Sequence, residues 1–184
     1  RDAAARGVAV RILVHRPGTP ILPLHAAPTP RTRLDLLRAL GAQVRTVEDE
    51  RRLMHHKFAV RDGEAVWTGS ANWTFDDFSR EENVVLQVHS PAIAAAYTAV
   101  FDELWETGTV EATGAHDVPA AKVGEASVVP WFCPGRGRAL SFRIAERIAA
   151  ARTRVRIASP VITAGPVLHA LEGVRDGGAV DTTG

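Results

Sequence analysis

Cysteine is nearly absent: the 184 residues include one, Cys133. A single thiol excludes an intrachain disulfide and a cysteine-rich metal site, and it does not identify a compartment. An excess of charge of either sign is missing too. The 22 basic and 21 acidic residues leave a net charge of +1. That is too little for whole-chain charge to argue for a nucleic-acid partner, and it is no obstacle to an anionic substrate. No apolar run is long enough to span a bilayer. His15, His25, His89, His116 and His169 are scattered without metal-ligand spacing, which implies no bound metal. The chain opens on Arg1 with no visible signal peptide, so it reads as a fragment and its localisation is unknown.

What is present is concentrated between Met54 and Asn83, MHHKFAVRDGEAVWTGSANWTFDDFSREEN. Alternating apolar residues flank Asp62-Gly63, a strong hairpin signal. His55 and Lys57 are predicted on the strand entering that turn. Two residues apart, they share one face, while Met54, His56, Phe58 and Val60 take the other. Ser70 and Asn72 end the return strand. A neutral imidazole is a competent nucleophile. A neighbouring ammonium, a hydroxyl and an amide together form a cradle for phosphate oxygens. A glutamate such as Glu82, with Glu81 as competitor, would hold the second imidazole N–H.

The rest of the chain reads as alternating elements. Gly7 to His15 is a buried strand, Pro17 to Pro30 a proline-rich loop, Arg31 to Leu40 a helix ended by Gly41, and Gln43 to Val47 a strand. Asn83 to Val88 is another strand. Ser90-Pro91 opens a helix that Gly108 ends. Thr109 to Glu125 is poor in large apolar residues and reads as a linker with room for one edge strand. Leu140 to Ala151 is a helix, Val155 to Ala158 a strand, and Val167 to Val174 the start of a helix before a Gly/Thr-rich tail. This order predicts an α/β sandwich with a partly parallel sheet. Asp102, Glu103 and Glu106 read as solvated charges. Trp67, Trp73, Phe75 and Phe78 read as packing residues, because stacking on a ligand would need them exposed. Arg136, Arg138, Arg143 and Arg147 read as a solvated helix face, with phosphate steering the weaker alternative.

The pattern His-x-Lys, four residues, Asp, six residues, Gly-Ser-x-Asn resembles the HKD signature of the phospholipase D superfamily. Here it stands as His55, Lys57, Asp62, Gly69, Ser70 and Asn72, with Glu82-Asn83 following. The resemblance implies a mixed, mostly parallel sheet sandwiched by helices. It implies residues 1–109 as an N-terminally incomplete first unit carrying the HKD motif, residues 110–125 as a linker, and residues 126–184 as the truncated start of a similar second unit. The second His-x-Lys is absent from this sequence. It would come from the same full-length chain or from a homodimer partner.

The implied activity is a metal-independent phosphodiesterase, hydrolysing or transferring a phosphodiester through a phosphohistidine without a cofactor. His55, Lys57, Asp62 and Glu82 would be catalytic, and Lys57, Ser70 and Asn72 would hold the phosphate. Turn chemistry alone, however, selects Asp62 before Gly63, which favours a structural role there. Phospholipid is the favoured substrate over nucleic acid. An endonuclease of the same superfamily and a non-catalytic phosphate-binding fragment are the alternatives.

Overall fold

The computed structural model describes residues 2–15, 33–49, 51–111 and 113–176. The proline-rich loop, His25, the opening of the first predicted long helix and the Gly/Thr-rich tail lie outside these. The chain divides into two compact units, residues 1–113 with 118–130, and residues 114–117 with 131–184.

In the first unit a short helix α1 (Asp2–Ala5) precedes β1 (Arg11–His15). The strand starts later than the apolar run because Arg6, Gly7 and Val8 donate their amides back to Ala3 and Ala4 carbonyls. Helix α2 (Arg33–Ala39) crosses over to β2 (Gln43–Val47), which pairs parallel with β1 from Arg11↔Gln43 to His15↔Val47. Parallel neighbours need such a crossover.

The motif region folds differently. Strand β3 (Phe58–Arg61) pairs antiparallel with β4 (Ala65–Gly69), and β4 with β5 (Val85–His89). Asp62 and Gly63 both have positive φ, 54° and 67°. This is the two-residue turn geometry that matches strand twist and that Asp-Gly favours. The α/β class stands, but among the described residues parallel pairing is confined to β1 and β2. For β3 and β4 the reason is connection length: a two-residue turn can join only antiparallel strands.

Helix α4 (Pro91–Thr107) packs against all five of these strands. Ser90 caps it by accepting from the Ile93 N–H, Pro91 occupies the first turn, and Gly108 ends it at φ +67°. Ile93 and Ala94 bury against Val66 of β4, with Phe58, Val60, Val88 and Tyr97 around them. A hairpin of β6 (Ala121–Val123) and β7 (Ala126–Val128) closes the same core. Strand β6 is the one strand that the linker reading allowed, and the unit boundary falls near Pro130. Asp102 is not merely solvated. It pairs with Arg11 at 2.9 Å, and the Arg11 guanidinium lies over the Phe101 and Trp105 rings. Arginine's planar, weakly hydrated head suits both contacts.

The second unit packs α5 (Gly137–Ala149) against α6 (Gly165–Asp176). Phe132, Ala145, Ile148 and Val174 are buried in it. Arg136 is half-buried rather than solvated, stacked on Trp131 and bridged to Asp117 at 2.7 Å. The strand expected at Val155 to Ala158 does not form. A strand needs a neighbour for its backbone groups, and no described strand of this unit supplies one.

Candidate active site

Histidine 55 and Lys57 lie on extended chain immediately before β3, which begins only at Phe58. Alternation persists through this segment. The His56 ring meets Phe58 edge-on, and Phe58 meets Tyr97 of α4 the same way, so His56 belongs to the core side. By parity His55 and Lys57 belong to the opposite side. Lys57 Nζ donates to the His55 carbonyl at 2.9 Å, folding the side chain back along the segment. His15, read as incidental, anchors the entry: its Nδ1 accepts from the Met54 N–H at 3.4 Å.

Partial burial, and then the Lys57 charge, lower the His55 pKa below the ordinary imidazole value. The imidazole is therefore neutral at neutral pH, the form that can attack an electrophile. His56 is lowered by burial, by Lys57 and by His55. Burial also lowers Lys57, and the Asp77 carboxylate works against that shift.

Asp77 was not foreseen, and it is the hub of the site. It is 5% exposed, on the five-residue helix α3 (Phe75–Ser79). Its carboxylate accepts from the Asn72 backbone N–H at 2.7 Å, from Asn72 Nδ2 at 3.0 Å and from the Thr74 backbone N–H at 3.3 Å. It also accepts from the Thr74 hydroxyl, and it completes a capping box by which Thr74 receives the Asp77 N–H. The Thr74 hydroxyl, and then the Asn72 amide, hold Asp77 below the usual carboxylate range. The signal was readable: Thr74-Phe75-Asp76-Asp77 has the spacing of a capping box. Asp77 thereby clamps both sides of Trp73, whose φ of +66° is unusual for a bulky residue.

The Gly-Ser-x-Asn segment is shaped by the start of β5. A Cβ on Gly69 would lie 2.0 Å from the Val84 carbonyl oxygen, so only glycine fits. Ser70 donates its hydroxyl to Asn83 Oδ1 at 2.7 Å and accepts from the Val84 N–H at 3.1 Å. Asn83 Nδ2 in turn donates to the Asp77 carbonyl at 3.1 Å. A hydroxyl has one proton, so Ser70 here fastens Asn83 rather than aiming a donor outward. Asn72 spends one amide proton on Asp77 and keeps the second.

Two expected participants stand apart. Asp62 is in the hairpin turn, five residues beyond Lys57 and so about 16 Å along the strand, beside Arg61 at 3.7 Å. Glu82 is exposed, and no hydrogen bond or ion pair joins it to His55 among the described residues. The Glu-Asn pair instead acts through Asn83. The aromatics also differ from expectation. Trp73, Phe75 and Phe78 are 54%, 75% and 68% exposed, because the inward position of so short a helix is taken by Asp77. Trp67 alone is partly buried, with the Arg61 guanidinium over its ring.

Residues 1–105 match the family model described as cardiolipin synthase, PLD-like domain. The chain belongs to the phospholipase D superfamily. Relatives within it include the mitochondrial cardiolipin hydrolase of Xenopus laevis, 40% identical over 77 residues, covering 42% of this chain and 36% of that one. The 5'-3' exonuclease PLD3 of Macaca fascicularis is 31% identical over 109 residues, 57% of this chain and 21% of that protein. The chain thus spans about a third of the first of these relatives. Among solved structures, NucT from Helicobacter pylori superposes at a TM-score of 0.42 and 19% identity, covering 57% of this chain and 67% of its own. No helix among the described residues is long and apolar enough to cross a membrane.

Proposed function

We propose that this superfamily member is a phosphodiesterase in which His55 attacks phosphorus in line. The bond from phosphorus to the leaving alcohol breaks as the phosphohistidine forms. A second histidine protonates the leaving oxygen, then takes a proton from the water or alcohol that releases the product. That histidine would come from a second HKD half in the full-length chain or from a homodimer partner. Lys57 supplies charge to the non-bridging oxygens, and the second amide proton of Asn72 adds a neutral donor.

The observation that carries this reading is the Asp77 hub. One buried carboxylate orients Asn72 through two hydrogen bonds and favours the charged form of Lys57, on the segment that carries a neutral His55. Preorganised donors around a nucleophile are the arrangement that phosphoryl transfer requires. Asp62 serves the turn, and Ser70 serves the site by holding Asn83.

A phospholipid is the favoured diester, in keeping with the cardiolipin hydrolases among the relatives. A nuclease is the second reading, in keeping with the exonuclease relative. Replacement of His55 by Ala in the complete protein should abolish turnover. A loss no greater than roughly tenfold is too small for removal of a covalent nucleophile and would refute the assignment. Steep weakening of binding with added salt would identify a polyanionic substrate instead.

A further inference from the structure

Helix α5 and the segment after it hold a concentration of arginine that the proposed chemistry does not use. From Arg136 to Arg156 there are seven arginines and one acid, Glu146, in a chain whose net charge is only +1. The second unit brings four of these to the border of one shallow, open depression of about 400 Å³. Arg143 and Arg147 stand one helical turn apart on α5 and so share a face, and Arg154 and Arg156 stand two apart on the segment after it. The floor between them is apolar, made by Ile144, Ile148, Ala151 and Val155.

The charge is poorly neutralised. Arg143 reaches Glu146 at 3.4 Å, an exposed i,i+3 pair. Arg147, Arg154 and Arg156 make no ion pair among the described residues. Four exposed arginines bordering one depression raise the local potential and attract anions, and the guanidinium fork matches phosphate oxygens. The depression is open to solvent, so it suits a group presented at a surface rather than one enclosed in a pocket. No aromatic side chain lines it, so it offers no platform on which a nucleic-acid base could stack. An apolar floor beneath a cationic rim suits an amphiphile.

We infer that this depression binds the phosphate of an anionic phospholipid head group, the guanidiniums gripping its oxygens and the apolar floor taking the adjoining glycerol and first methylenes. The site is separate from the His55 chemistry and does not depend on it.

The test is co-sedimentation of the complete His55→Ala protein, so that turnover plays no part. The vesicles are phosphatidylcholine alone, or phosphatidylcholine with about one-third phosphatidylglycerol. Partition should favour the anionic vesicles. Each basic residue near such a surface contributes about a factor of five. Arg147→Gln with Arg154→Gln should therefore weaken partition about 25-fold. Arg138→Gln with Arg152→Gln removes the same charge outside the depression and should cost at least about fivefold less than the first pair. Should the first pair unfold, Arg147→Lys with Arg154→Lys keeps the charge, loses the fork, and should still weaken partition several-fold.

Equal loss in the two Gln pairs would mean diffuse charge and would overturn the site. Equal binding to both vesicle types would overturn it as well. Displacement from the anionic vesicles by oligodeoxythymidylate would assign the depression to nucleic acid. Displacement by millimolar inorganic phosphate would assign it to the free ion, and either result would overturn the lipid.

Discussion

Gly69→Ala should be far more damaging than a glycine substitution in an exposed strand usually is. The new Cβ would stand 2.0 Å from the Val84 carbonyl oxygen, 3.0 Å from its carbon and 2.9 Å from Val85 Cα, all backbone atoms. An ordinary carbon–oxygen contact is about 3.3 Å, so β4 and the start of β5 must part by about 1.3 Å. That movement stretches two bonds, Ser70 N–H to the Val84 carbonyl at 3.0 Å and Val84 N–H to Ser70 Oγ at 3.1 Å. At about 1 kcal/mol each, with about 1–3 kcal/mol for overpacking, the loss comes to about 3–5 kcal/mol. For a protein of this length it should lower Tm by about 6–20 °C. Gly63→Ala is the control. Nothing lies within 4 Å of its Cβ, so only its left-handed backbone is penalised, by about 1 kcal/mol. Thermal unfolding followed by circular dichroism reads both. A Gly69→Ala protein melting within about 2 °C of the parent would refute the close-approach account.

Other outcomes follow from the same geometry. Ile93→Ala, at a position 2% exposed in the core cluster, should cost about 2–5 kcal/mol in chemical denaturation. Leu53→Ala, at 59% exposure, should stay within about 0.5 kcal/mol. In an NMR titration His55 should ionise below the ordinary imidazole value of 6.5, and Lys57→Gln should move it upward by removing a like charge. A midpoint at or above 6.5 in the parent would contradict this. Because folded His55 and His56 are both lowered, the folded state binds fewer protons than the unfolded chain just below pH 6.5. Stability should therefore fall as pH is lowered through that window.

Local chemistry was the legible part of this protein. Asp62-Gly63, Ser90-Pro91 and Gly108 each act within a few residues, and each stands where the sequence places it. Strand parity put His56 and Phe58 together, and the rings meet. The less legible features depend on partners remote in sequence. The start of β5 is delayed to Val85 because Asn83 and Val84 turn toward Ser70 and Asp77. The β6–β7 hairpin, whose sequence divides between the linker and the opening of a second unit, finds its apolar surface on a core built by β4 and α4. The Val155 run has strand composition without a described neighbour to pair with. Asp77 was legible as a helix cap, but its second role, orienting Asn72 and opposing the Lys57 shift, depended on the loop between them.

The central claim is a covalent bond between phosphorus and His55. The complete protein should be mixed with a phosphorus-labelled diester, quenched in alkali within the first turnover, digested and mapped by mass spectrometry. The account predicts one added phosphoryl adduct on His55 of the parent and none in the His55→Ala protein. An adduct on another residue, or turnover without any adduct on His55, would contradict it.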